Sequence, residues 1–163
     1  MELAVMACMP TSVLTKVRGD GDYVQFAKMR KLVYQNLSAV SSTYSDRNYG
    51  HLGLGITNTK YFVRTGVHYV VTLDPGMYKI TIGATISHVT ISRREAENNE
   101  SRRAFRTNKA VKYIIKNRLK QAIPPSLIIE IEDEITGLNN VDIIDILDYV
   151  QQRRGKINEN FIN

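Results

Sequence analysis

A chain of 163 residues has room for one ordinary domain or two small helical lobes, and it can bury a core without disulfide or metal staples. Hydrophobic residues make up 43% of it, which excludes a disordered composition, and a single cysteine, Cys8, excludes an intrachain disulfide framework. The net charge of +6 points to an anionic partner, though its distribution says more than its sum.

Residues 1–22 read as a flexible N-terminal arm that closes on Gly19-Asp20-Gly21-Asp22. Met1 to Cys8 carries Glu2 and no basic stretch, so no secretory signal is expected. No apolar run approaches the roughly 20 residues of a membrane span, and the expectation is a cytoplasmic chain with no membrane partner. Asp22 can cap a helix over 23–40, because Phe26, Met29, Val33, Leu37 and Val40 recur at steps of three and four. The glycines of Tyr49-Gly50-His51-Leu52-Gly53-Leu54-Gly55 predict a compact turn, and Thr57 and Gly66 bracket a short helix over 58–64.

From Val67 to Ile91 the chain is rich in β-branched residues, and Asp74-Pro75-Gly76 marks a turn. A short β-hairpin over 67–83 and an irregular loop both fit. Ser87 offers a cap to a helix over 88–123, with a break expected near Thr107 and Asn108. Val111, Ile114, Ile115, Leu119, Ala122 and Ile123 form its apolar face. Pro124-Pro125 ends it, and Pro125 can open a further helix that runs to about Ile135 before Gly137. Asp142 opens a last helix with Ile143, Ile144, Leu147 and Val150 on its apolar face, and Gly155 stops it. The tail, 156–163, either frays or docks through Ile157, Phe161 and Ile162. The fold class is therefore mainly α: a helical domain over 23–155, as one body or as two lobes, 23–123 and 124–155.

Charge is segregated along the chain. Ten basic residues fall between Arg93 and Lys120, opposed by Glu95, Glu97 and Glu100 alone. Seven acids then run from Glu130 to Asp148 with no basic residue among them. Such faces are solvated, pair within the fold, bind other subunits, or meet nucleic-acid phosphates. The candidates for RNA contact are Arg102, Arg103, Arg106, Lys109, Lys112, Lys116 and Lys120, although Phe105 and Tyr113 are the only aromatics nearby. The candidates for assembly contacts are Glu132, Glu134, Asp142, Asp145 and Asp148. Arg118 falls beside the apolar face and is expected to snorkel or to pair with an acid.

No constellation asks for catalysis. The chain has no nucleophile elbow, HExxH or P-loop, and Gly50 to Gly55 lacks the Lys and Ser/Thr that cradle a phosphate. His51, His68 and His88 lack metal-ligand spacing, and the carboxylates near Glu130 are contiguous rather than paired across a cleft. Arg18-Gly19-Asp20 is read as a chance tripeptide. The expectation is no catalytic residue, no metal, no cofactor and no small-molecule substrate.

The order of the motifs carries more. Met29-Arg30-Lys31-Leu32 leads through Val40 to Tyr49-Gly50-His51-Leu52-Gly53-Leu54, then to the Thr57–Phe62 segment with Tyr61. Asp74-Pro75-Gly76 and Ile82-Gly83-Ala84-Thr85 precede a charged helix, and the chain closes on Ile146-Leu147-Asp148-Tyr149-Val150 and Gly155-Lys156-Ile157. This succession resembles the Gag-like region of copia-type LTR retrotransposons of diatoms and other algae. The resemblance covers roughly residues 25 to 160, and the Gly-His-Leu-Gly-Leu block is its most specific element. The chain departs from the pattern at Arg154-Gly155, where the family often has Tyr-Gly, and at Ala84-Thr85, which replaces a Thr pair.

The resemblance implies a mostly helical, capsid-like fold that self-assembles into a cytoplasmic virus-like particle around the element's RNA, with no catalytic residue. No zinc knuckle and no Asp-Thr-Gly or Asp-Ser-Gly loop occurs in the sequence, so it would correspond to the capsid portion of Gag. RNA packaging would then rest on basic surface, on the tail, or on sequence outside these 163 residues. The competing reading is a stand-alone basic module that binds RNA or DNA through the helix around Lys109 to Lys120.

Overall fold

The spacing of apolar residues translates into helices. In the computed structural model, which describes residues 1–18, 23–78 and 87–155, the chain is mainly helical and no strand occurs among those residues. Among the described residues six α-helices follow in order: α1 (Glu2–Cys8), α2 (Tyr23–Ala39), α3 (Asn58–Thr65), α4 (His88–Ala122), α5 (Pro125–Ile131) and α6 (Ile143–Val150). A 3₁₀ segment, Gly50–Leu54, lies between α2 and α3, and a wider π turn, Gln151–Gly155, extends α6.

The core forms where the apolar stripes meet. Val33 and Leu37 of α2, Val111 and Ile115 of α4, Leu127 of α5 and Ile146 of α6 belong to one continuous buried cluster. Residues of both expected lobes share this core, so the two-lobe division gives way to one body.

The expectation of a flexible arm over 1–22 is corrected for residues 1–18. Val5, Met9, Leu14 and Val17 are buried in the same core. Their uneven spacing follows neither helical nor strand period, so periodicity does not reveal them. Polar groups hold the segment as well. Asn36, fully buried on α2, accepts from the Thr11 N–H at 3.1 Å and donates to the Thr11 carbonyl at 3.0 Å. The Val17 N–H donates to the Ala122 carbonyl at 2.8 Å. Arg118 does not snorkel, and among the described residues it pairs with no acid: it is buried and donates to the Thr11 carbonyl at 2.8 Å and to Met9 Sδ at 3.1 Å. Asp22, the expected cap of α2, lies outside the described residues, as does the tail 156–163.

Caps and stops set the other ends. Thr57 Oγ1 accepts from the Lys60 N–H at 3.3 Å, and Gly66 closes α3 at φ +79°. Ser87 Oγ accepts from the Thr90 N–H at 3.2 Å at the start of α4. The break expected near Thr107 and Asn108 does not occur, and α4 is one helix of 35 residues. Asn108 is buried, and its amide donates to the Tyr69 hydroxyl at 2.6 Å instead of competing for the helix backbone. Helix α5 stops at Ile131, short of the expected Ile135. There the Asp133 carboxylate accepts from the N–H groups of Ile135 (2.8 Å) and Thr136 (3.0 Å), which turns the chain toward Gly137 at φ +61°.

The glycine block is a site of close approach. The 3₁₀ segment lies against the end of α2, where His51 Nδ1 is 2.8 Å from the Val40 carbonyl oxygen. A carbonyl only accepts, so Nδ1 carries the proton there. Burial holds the His51 imidazole below its ordinary pKa, and the bond to Val40 opposes that shift. The Tyr61 hydroxyl donates to the Gly50 carbonyl at 3.1 Å, and Leu52, Tyr61 and Tyr69 form a second small core.

Residues 67–78 take the irregular form of the two that the sequence allows; residues 79–83 lie outside the described residues. Side chains satisfy the backbone that a partner strand would otherwise pair. The Tyr69 N–H donates to Asn58 Oδ1 at 3.1 Å and the Val70 N–H to Ser45 Oγ at 2.9 Å. The Asp74-Pro75-Gly76 turn is present: Asp74 Oδ1 accepts from the Gly76 N–H at 2.9 Å, with Gly76 at φ +70°.

Candidate assembly and nucleic-acid surfaces

Helix α4 is longer than the core it serves. At 1.5 Å per residue its 35 residues span about 52 Å. Its buried residues begin at Ala104, and none of residues 88–103 is buried. Roughly 24 Å of helix at 1.5 Å per residue therefore carries no buried side chain. Val89 is 80% exposed on it.

The C-terminal half of α4 carries the lysines. Lys109, Lys112, Lys116 and Lys120 line a groove of about 600 Å³ with Tyr113, and the loop 136–140 forms its other wall. Tyr113 is 51% exposed there. Arg102 and Arg106 continue the row at helical steps of four and three, outside the groove. Arg103 lies apart from that row, in a cavity with Met1 and Ala4 of the N-terminal segment. Of the seven basic candidates, the structure thus unites four in one groove, continues them with two, and separates the seventh.

The groove is partly neutralised from within. Lys116 Nζ donates to the Asn139 carbonyl at 3.0 Å. Burial lowers the Lys116 pKa, Lys112 lowers it further, and Asp142 opposes both. Lys120 lies 3.9 Å from Glu132, a pair open to solvent on the lysine side that contributes little to stability. Sequence reasoning singles out the lysines but not the 136–140 wall, which bears no charge and lies well over a dozen residues away along the chain.

The five acidic candidates do not form one face. Glu132 turns toward Lys120, and Asp142 acts on Lys116. Glu134, Asp145 and Asp148 are exposed. Burial raises the Tyr34 phenol, Arg30 lowers it, and Asp148 raises it, so Asp148 acts on a side chain of α2.

Among the described residues no group of three or more His, Cys, Asp or Glu side chains converges as metal ligands would. No helix among them is long and apolar enough to cross a membrane. Comparison with protein-family models, curated proteins and solved structures gives no match.

Proposed function

We propose that this chain is a self-assembling, capsid-like structural protein of a copia-type retrotransposon particle, which encloses the element's RNA in the cytoplasm. The single observation that carries this reading is the length of α4, of which residues 88–103 have no buried side chain. A segment of that length is marginal as an isolated helix in water, since helical stability comes mainly from packing an apolar face. Neighbouring copies that pack against it would complete it. The order of motifs that resembles copia-type Gag supports the same reading.

Light scattering and negative-stain microscopy of the purified chain, at low and high salt and with and without RNA, test it. Regular shells or rings are the expected result. A strict monomer in every condition would overturn it.

A second reading, a stand-alone nucleic-acid-binding module, is favoured by the lysine groove. Four lysines flank an exposed tyrosine, the pairing of backbone charge and stacking surface that single strands use. On this reading a monomer binds single-stranded RNA with a log–log salt slope of roughly −3, from about −0.7 per phosphate contact. Charge reversal at Lys112 and Lys116 should then abolish binding; unchanged binding would exclude the groove.

A further inference from the structure

A second groove lies between α2 and α3, with Leu52 of the 3₁₀ segment in its lining. Its volume is about 800 Å³. Tyr34, Leu52 and Ile56 give it apolar surface, and Val63, 80% exposed, stands with them. Four cations line it, Arg30 and Lys31 from α2 and Lys60 and Arg64 from α3, and no carboxylate does. Arg30 is engaged within the chain, over the Phe26 ring and against Gln151. Among the described residues Lys31, Lys60 and Arg64 have no ion pair. An apolar groove with a cationic lining selects an acidic segment that carries exposed apolar side chains.

The chain contains such a segment. Residues 129–135 read Ile-Glu-Ile-Glu-Asp-Glu-Ile. Ile129 is 69% exposed and Ile135 is 92% exposed. Leu127 and Ile128 root the segment in the core, and the Asp133 turn holds its far end. None of residues 129–135 lines the groove, so the two surfaces do not meet within one chain.

We infer that residues 129–135 of a second copy dock in the groove between α2 and α3. The inference rests on the self-assembly reading and gives it a geometry. Glu134 faces solvent and is open to Lys60 and Arg64 of the neighbour. Glu132 has Lys120 beside it, and Glu130 has Arg153 at 3.7 Å together with the Tyr149 hydroxyl. Those two acids therefore bring charge already partly balanced, and Glu134 with Ile135 is the main contact. Each copy offers one groove and one segment that does not line it, and repeated from copy to copy the contact is head-to-tail. Such contacts close into rings or run on as open filaments.

Two exposed-surface variants of the full chain test this. K60E/V63D spoils the groove and leaves the segment intact. E134A/I135S spoils the segment and leaves the groove intact. Circular dichroism and a thermal melt check that each folds as the wild type does. Multi-angle light scattering, at low salt and with and without RNA, should find each variant monomeric under conditions where the wild type assembles. An equimolar mixture should give particles of twice the chain mass and nothing larger, because each partner supplies one working half.

Assembly of either variant alone, or a mixture that stays monomeric, would overturn the docking and leave self-assembly standing. A monomeric wild type would overturn both.

Discussion

Replacing Gly50 by alanine probes the close approach on which the glycine block depends. Gly50 sits at φ +34°, and a Cβ added there would lie 2.0 Å from the Val40 carbonyl oxygen and 3.3 Å from that of Ser38. Both obstacles are backbone at the end of α2, so no side-chain rotation relieves the clash. The 3₁₀ segment must move away, and the contacts of His51 with Val40 and of Tyr61 with Gly50 stretch with it. The positive φ costs about 1 kcal/mol, overpacking about 1–3, and the two weakened hydrogen bonds about 1 each, for a total of roughly 4–6 kcal/mol. That is a large share of the roughly 5–15 kcal/mol that holds an ordinary domain folded. Gly66 separates the causes: its φ is +79°, but nothing lies within 4 Å of an added Cβ. Gly66→Ala should cost only the conformational part, about 1 kcal/mol. Urea unfolding followed by circular dichroism measures both, compared at a common m-value. If Gly50→Ala costs no more than Gly66→Ala, the crowding argument is wrong.

Three further outcomes follow from the packing. Deleting residues 1–18 removes Val5, Met9, Leu14 and Val17 from the core, a gross loss on the order of 6–12 kcal/mol at about 1.5–3 per side chain. The truncated chain should lose its cooperative thermal transition; an unchanged midpoint would mean that the segment contributes nothing. His51 makes stability depend on pH. Its folded pKa lies below the unfolded value, so the unfolded state binds the extra proton, and stability present above about pH 6.5 falls as the pH is lowered toward the folded pKa, by at most about 1.4 kcal/mol per unit. His51→Gln should flatten that limb of the curve, and an equally steep limb in the variant would assign the dependence elsewhere. Tyr69→Phe leaves the buried Asn108 amide without its 2.6 Å acceptor, at about 1–3 kcal/mol, and a double-mutant cycle with Asn108→Ala should show the two losses to be strongly non-additive.

Much of the fold is legible in the sequence because single helices obey local rules. The α2 stripe, the Thr57 and Ser87 caps and the Pro124-Pro125 stop each act within a few residues, and the structure has all of them. The N-terminal segment is not legible, because its burial depends on two polar side chains elsewhere, Asn36 and Arg118, that bond its backbone. The β-branched run after Val67 misleads for a related reason. Asn58 and Ser45 take up its backbone N–H groups, so its propensity is overridden by partners that lie 11 and 25 residues away. Asn108 reads as a helix breaker only while its partner Tyr69 is unknown.

The surfaces follow the same division. The lysine row is legible because steps of three and four fall on one side of a helix, whereas its 136–140 wall carries no signal. The linear contrast between a basic middle and an acidic C-terminal third suggests that these two blocks attract one another between copies. The fold spends part of that attraction inside the chain, at Lys120 with Glu132 and at Lys116 with Asp142. Among the described residues Lys31, Lys60 and Arg64 have no ion pair, and they lie on two helices with the 3₁₀ segment between them in the chain, so no run of sequence displays them together. Their charge is the part available to a neighbour, and within the 129–135 segment the glutamate left to meet it is Glu134, which the Asp133 turn sets apart from Glu132 although the two are only two residues apart. Charge that steers association must be charge left unpaired by folding, and that condition, more than the length of any charged run, picks out the contact.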